Sequence, residues 1–554
     1  MAYDDLLISI GQFGRYQKRI YLLLCLPAIS CALHKLSGVF LQAKVAHRCR
    51  LPIDDNNSSY HILPYGSVEN MLYPWDSGHD SWSSCELYDT NYTDSYFSSG
   101  SIATHTLPCT SWIYDSSIYE TTTTSEWNLV CDRAWLRATS DALLMIGVML
   151  GSIIFGDLSD RLGRKPIFFI SLVLQVIFGV LVSISPDVYT FMLTRMIVGA
   201  TTSGVFLVAY VIAMELVGPK RRMFAGVAFQ LFFTAGFFVT AFCAYFIRNW
   251  RLLQLTLTLP GIAFFSYWWF IPESVRWLLT KGRTEEAKAN LEKVAKENRK
   301  LLDKTMLDDV CAQSEAERKV AANGAGNVKT ATLIDLFKYP NLRKKSLIIF
   351  FLWFVNSGTY YGLSWNTSNL GGNEYINFVI SGAVEIPAYT ILIFTLDKWG
   401  RKIILCGAMI FAGLCLIATA FVPSNMTSLN IVLAMAGKLA ISSSYSTVYV
   451  VTGEQFPTVV RNVGLGAAST FARIGGILAP YVNIMAEVWT PLPLLIFGIL
   501  ALLSGTSALL LPETLNRKLP ESIEDGETFG KKQKDVPNND NNAEEMVHLN
   551  AQKS

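Results

Sequence analysis

Gly156-Asp157-Leu158-Ser159-Asp160-Arg161-Leu162-Gly163-Arg164-Lys165 recurs, about 240 residues later, as Leu396-Asp397-Lys398-Trp399-Gly400-Arg401-Lys402. Each copy lies between two long apolar runs. Other pairs keep nearly the same offset: Glu215 and Arg222 answer to Glu454 and Arg461, and Pro272-Glu273-Ser274 answers to Pro512-Glu513-Thr514. A constant offset across three separate motifs implies two copies of one membrane unit. Two such halves around a central cavity suit the movement of a solute across a bilayer.

Composition agrees with a membrane chain. Of 554 residues, 51% are hydrophobic and 16% charged, where soluble domains carry roughly 25% charged residues. The apolar residues fall into runs near the ~20 residues needed to cross the hydrocarbon core. The predicted spans are 20–42, 138–158, 166–185, 188–214, 223–247, 250–270, 345–365, 374–396, 403–422, 427–450, 460–484 and 490–511. The expected fold is an all-α polytopic membrane protein of twelve transmembrane helices in two six-helix halves, 20–270 and 345–511.

Arg161, Arg164, Lys165, Lys220, Arg221, Arg222, Lys398, Arg401, Lys402, Arg517 and Lys518 fall in loops of one parity. The positive-inside rule makes those loops and both termini cytoplasmic, with Arg248 and Arg251 as exceptions. The N-terminal segment 1–19 lacks a signal peptide's short apolar core, so the first span reads as a retained anchor.

Three polar segments interrupt the spans. Residues 43–137 form a long outer loop holding Cys49, Cys85, Cys109 and Cys131. An even cysteine count outside the cell predicts two disulfides, with three connectivities open. The sequons at Asn56, Asn57 and Asn91 predict glycosylation there, whereas those at Asn366 and Asn425 lie too near the membrane. Residues 271–344 form a central cytoplasmic segment in which Ala287, Leu291, Val294 and Ala295 share one helix face. Residues 512–554 read as a cytoplasmic, largely disordered tail. Neither segment carries a phosphate-cradling loop, and no metal, cofactor or nucleic-acid motif appears.

A carrier must expose its site to one side at a time, through contacts that hold one state and break in the other. Asp157, Asp160, Arg161, Arg164, Glu215, Arg222, Asp397, Arg401, Glu454 and Arg461 sit at inner helix ends. There, carboxylates and guanidiniums can form bidentate networks. Exposed pairs are individually worth only ~0–1 kcal/mol, but a partly buried network can bias a two-state equilibrium.

Ionisable residues within spans are site candidates, because each costs at least ~2.5–3.5 kcal/mol at the bilayer centre. They are Lys35, Arg195, Glu385, Lys438 and Arg473. Glu385 and Arg473 are expected to face a shared space. Trp353 and Tyr360, seven residues apart, share a face of the seventh span, and Tyr361 adjoins it. Aromatic faces attract organic ammonium groups by ~0.5–2 kcal/mol each.

The double motif resembles the major facilitator superfamily. Within it, the long cysteine-bearing loop, Ile271-Pro272-Glu273-Ser274-Val275-Arg276-Trp277-Leu278-Leu279, Glu454-Gln455-Phe456-Pro457-Thr458-Val459-Val460-Arg461-Asn462 and Leu511-Pro512-Glu513-Thr514-Leu515 resemble the organic cation, organic anion and carnitine transporter family. The similarity runs from roughly residue 5 to 527. Its insect members resemble the N-terminal and seventh-span segments closely. The sugar-porter branch shares the gating motifs but has a shorter outer loop and a paired-glutamine seventh span absent here.

The resemblance implies that Phe206, Gln230 and Tyr445 line the cavity. It also implies a test of substrate charge. Cation-preferring vertebrate relatives have aspartate where Arg473 stands, whereas anion exchangers and carnitine carriers have arginine. Anion exchangers also have lysine at Ala388, while cation and carnitine types keep a glutamate at Glu385. Glu385 with Arg473 is the carnitine-like combination.

The expected function is therefore alternating-access transport of small organic ions, cations or zwitterions, across the plasma membrane. The partners are that substrate and the lipid bilayer. An organic-anion exchanger, favoured by Lys35, Arg473 and Lys438, and a non-transporting receptor are the alternatives. No nucleophile or phosphate motif points to an enzyme.

Overall fold

The computed structural model describes residues 2–530 except 56–57, 62–68, 77–80, 100–101, 324–332, 424 and 518. Among the described residues, ten helices are long and apolar enough to cross a bilayer. In the first half these are α1 (Arg15–Leu36), α2 (Trp135–Leu162), α3 (Arg164–Ser183), α4 (Val188–Leu216) and α5 (Arg222–Phe246). The sixth span is interrupted. Helix α6 (Trp250–Thr258) continues as a 3₁₀ helix over Leu259–Trp269. Pro260 has no N–H for the α-helical bond, so the chain tightens there.

The second half repeats the order with α7 (Pro340–Trp365), α8 (Glu374–Trp399), α9 (Arg401–Thr419), α10 (Thr427–Gln455), α11 (Arg461–Ile484) and the 17-residue α12 (Leu492–Ala508). Lipid-side positions stay apolar and exposed: Ile153, Phe242, Phe394, Ile403 and Phe421 are each more than 60% exposed. An exposed apolar belt on a folded chain is what a bilayer covers.

The 43–134 loop forms three two-stranded antiparallel pairs, with His47–Cys49 against Trp112–Tyr114, Trp75–Asp76 against Ser81–Trp82, and Glu86–Tyr88 against Thr106–Pro108. Disulfides join Cys49 to Cys109 and Cys85 to Cys131. Arg48 and Asp54 pair beneath the strands, both buried, at 2.6 Å. Asn91 is exposed on this loop; Asn56 and Asn57 lie outside the described residues. The side of the molecule carrying this loop is called here the loop face, and the opposite side, with the charged motifs, the motif face.

On the motif face, Thr284–Asn298 buries Ala287, Leu291, Val294 and Ala295, and its Asn298 accepts the Tyr16 N–H at 3.1 Å. The tail departs from the expected disorder as far as Gly530. Ile523–Thr528 is a helix, and Glu527 accepts the N–H groups of Asn341 and Leu342 at 2.8 and 3.0 Å. Those are orphan donors at the α7 N-terminus, and a carboxylate satisfies them well.

Candidate substrate cavity and gates

Each charged motif turns on a glycine with positive φ, Gly163 at 118° and Gly400 at 92°. A side chain at either would collide with a carboxylate: a Cβ would lie 2.6 Å from Glu273 Oε2 or 2.7 Å from Glu513 Oε2. Those carboxylates cap the following helices. The Arg164 and Lys165 N–H groups donate to Glu273 at 3.0 and 3.2 Å, and those of Arg401 and Lys402 donate to Glu513 at 3.0 Å each.

The side chains repeat the symmetry. Arg164 reaches Glu215 through Nε at 3.1 Å and Asp160 at 2.7 Å. Arg401 lies 3.3 Å from Glu454 and 3.0 Å from Asp397. Ser274 donates to Glu215, and Thr514 to Glu454. Arg161 makes only an exposed pair with Asp157, at 2.9 Å.

Two expected members sit differently. Arg222 binds Asp4 at 2.6 Å and the Met214 and Val217 carbonyls; Arg461 binds the Phe456 carbonyl and Thr458. Neither pairs with the glutamate ending the preceding helix, because that glutamate is taken by Arg164 or Arg401. The free helix-end carbonyls attract the second arginine instead. Each latch thus ties three helices inside one half: α2, α3 and α4, or α8, α9 and α10.

Contacts between the halves lie elsewhere. On the loop face, Tyr119 donates to Glu374 at 2.6 Å, Arg137 pairs with Glu487, and Thr139 Oγ1 lies 3.1 Å from Tyr481 Oη. Phe40 packs between Tyr375 and Phe378. Further in, the Trp365 indole donates to the Lys35 carbonyl at 3.3 Å, and Thr234 donates to Glu385 at 2.8 Å. None of these cross-half bonds is on the motif face. The halves are closed together on the loop side.

Glu385 is held at the junction where α8 bends before Pro387. Gly382 lets α5 approach: a Cβ there would lie 2.6 Å from the Phe237 side chain. The Glu385 carboxylate accepts from Tyr360 at 2.7 Å and lies 3.5 Å from Lys438 Nζ. Lys438 also binds Ser364 and sits 3.8 Å over the Tyr360 ring. Glu385 and Arg473 form no ion pair with each other; Lys438 is the counter-charge beside Glu385.

Arg473 donates to Ser469 of its own helix, and its buried Nε has no hydrogen-bond partner. Lys35 is buried, with Nζ 5.7 Å from the Phe206 centroid and 5.8 Å from Phe233. Among the described residues neither cation has a carboxylate partner.

The aromatic candidates divide. Tyr361 touches Tyr360 and stacks on Trp365; Tyr445 stacks on Tyr360 at 5.6 Å. Trp353 is sunk into the second half's core, its indole bound to Thr452 at 2.8 Å. It supports the wall from behind rather than forming it. Gln230 is partly exposed and makes no side-chain hydrogen bond among the described residues. Tyr449 was missed, though it follows Tyr445 by one helical turn and so shares its face. It is 50% exposed although Trp353 and Tyr445 crowd around it.

Comparison with known proteins identifies this architecture. The model of the family described as "Sugar (and other) transporter" matches residues 102–525. An "Organic cation transporter protein" of Drosophila melanogaster is 57% identical, covering 96% of each chain. A "Beta-alanine transporter" of the same fly is 35% identical over 95% of this chain and 89% of its own. The human "Solute carrier family 22 member 16" is 34% identical over 94% and 92%.

In structure, the "partially occluded inward open" xylose transporter XylE from E. coli superposes with a TM-score of 0.55. It is 21% identical, covering 70% of this chain and 90% of that one. The chain belongs to the sugar (and other) transporter family of the major facilitator superfamily, alongside the organic cation transporter and solute carrier 22 proteins, and it is a membrane transporter of organic ions, not an enzyme.

Proposed function

We propose that the chain carries small zwitterions, molecules with one carboxylate and one ammonium group, across the plasma membrane by alternating access. The observation that carries this is the charge balance at mid-depth. Glu385 is already matched by Lys438, so Lys35 and Arg473 remain as uncompensated cations beside a tyrosine wall. A buried cation without a counter-charge is costly. A substrate carboxylate placed between Lys35 and Arg473 relieves that cost, while Tyr361, Tyr445, Tyr449 and Phe206 offer ring faces to the ammonium. Gln230 adds a free amide. One relative, the fly beta-alanine transporter, is named for a substrate of this class.

The loop face is read as extracellular. Its disulfides suit an oxidising compartment, and the basic clusters of the motif face suit the cytoplasm. In that orientation the structure faces inward. The within-half latches keep each half rigid while the halves rock about the site.

Uptake by cells expressing the chain tests the reading. A zwitterion is electrically neutral, so β-alanine or carnitine uptake measured without sodium should not change when the membrane is depolarised. A net cation such as tetraethylammonium would gain ~2.3 kcal/mol per 100 mV. Uptake confined to tetraethylammonium and abolished by depolarisation would replace this reading with that of a cation uniporter, which the tyrosine wall and the name of the fly organic cation transporter protein favour. Comparing uptake with and without sodium separates coupled from uncoupled transport.

A further inference from the structure

We propose that the outer loop supplies a latch of the outer gate: Tyr119, carried on the first half, holds Glu374 of the second and biases the carrier toward the state closed on the loop face. The inference rests on the alternating-access reading and on the loop face being extracellular.

The segment around Tyr119 is fixed to the first half. Its flanks are pinned by the disulfides at Cys109 and Cys131. Between them it lies on the turn that joins α5 to α6. Arg248 donates to the Ser117 carbonyl at 3.2 Å, the Glu120 N–H to the Arg248 carbonyl at 3.1 Å, and the Trp250 N–H to the Thr121 carbonyl at 3.3 Å. Thr124 donates to the Gln42 carbonyl at 3.2 Å, and Glu126 takes the Trp250 indole at 2.7 Å and Arg251 at 2.5 Å. Thr122, Thr123 and Thr124 are fully buried. All these partners belong to the first half, so the segment travels with it.

From that platform Tyr119 reaches across to the second half. It is buried, and its hydroxyl donates to Glu374 at 2.6 Å. Glu374 opens α8, whose first turn favours a carboxylate. The neighbouring cross-half contacts are between rings: Tyr375 lies 5.4 Å from Phe40 and 5.6 Å from Tyr245 of α5. Ring contacts tolerate sliding, whereas the Tyr119 bond is directional and charge-assisted, and stretching it by about 1 Å breaks it. Parting of the loop face therefore breaks this bond. It weights the equilibrium toward the inward-facing state and touches no substrate. On this reading the large outer loop is a working part of the gate, beside the helix-borne contacts of Arg137 with Glu487 and Thr139 with Tyr481.

Thiol labelling of the full-length chain in intact cells tests this without any substrate. Tyr361→Cys places a reporter in the wall of the mid-depth cavity, behind the closed loop face. Its modification by the membrane-impermeant 2-sulfonatoethyl methanethiosulfonate is measured against the chain lacking that cysteine. Tyr119→Phe keeps the ring and removes the hydroxyl. Added to the reporter, it should raise the outside labelling rate about tenfold at normal surface abundance, since one charge-assisted hydrogen bond is lost. Glu374→Leu should do the same, and the double variant should label no faster than the faster single one, because all three lose the same bond. Glu374→Gln, a weaker acceptor, serves if Glu374→Leu does not reach the surface. An unchanged rate in Tyr119→Phe, or single effects that multiply in the double variant, overturns the latch. In inside-out vesicles the reporter alone should label readily. Failure there overturns the orientation and the latch with it, whereas an unchanged outside rate overturns the latch alone.

Discussion

Lys438 Nζ lies 3.5 Å from Glu385 Oε1, and their side chains are 1% and 0% exposed. The pair joins α10 to α8, and Thr234 extends it to α5 across the interface between halves. It is the place where the two halves share a buried polar network at mid-depth.

Removing one member of a buried pair leaves an uncompensated charge and typically costs ~3–5 kcal/mol. Lys438→Met alone should therefore lower surface abundance severely. Lys438→Met with Glu385→Gln should restore most of it. Surface biotinylation reads both, and equal loss in single and double variants would refute the pairing.

The latch arginines act through a planar fork shared between Glu215 and Asp160, or Glu454 and Asp397. A lysine keeps the charge but cannot make both contacts. Arg164→Lys and Arg401→Lys should each reduce uptake at least tenfold with normal surface abundance. If abundance falls in step with uptake, the motif serves insertion and topology instead.

Glu513 and Glu273 occupy matching positions but titrate differently. Burial alone would raise the Glu513 carboxyl, yet the N–H groups of Leu515, Lys402, Thr514 and Arg401 outweigh it and hold the group below its usual 4.5. The stability it contributes is present above that value and lost as pH falls through the lowered one. The advantage of the native chain over Glu513→Gln should thus vanish in acid, as read by thermal unfolding against pH. At Glu273 burial prevails and raises the carboxyl. Glu273→Gln should therefore lose least relative to the native chain at the higher pH values.

Pairing of Cys49 with Cys109 and of Cys85 with Cys131 predicts a pattern of non-additive loss. Removing a disulfide from an outer domain costs roughly 2–5 kcal/mol. Cys49→Ser, Cys109→Ser and their combination should be equally damaging, whereas Cys49→Ser with Cys85→Ser should be worse than either. Mapping of non-reduced peptides gives the connectivity directly.

Much of the architecture was written in linear pattern. Apolar run length, repeated charge motifs and sorted basic residues reflect the bilayer and local backbone turns, which act on neighbouring residues. Those features specify a two-half polytopic bundle, the Gly163 and Gly400 turns, and the amphipathic face of Thr284–Asn298. They also marked Lys35, Glu385, Lys438 and Arg473 as costly, hence purposeful, charges. What only the tertiary structure decided is who meets whom: Glu385 with Lys438 rather than Arg473, Glu215 with Arg164 rather than Arg222, Trp353 behind the wall, and the disulfide connectivity. Each choice depends on distances between helices far apart in the chain. Charge attraction is the same for any opposite pair, so only the packing of α4, α5, α8, α10 and α11 selects among the partners.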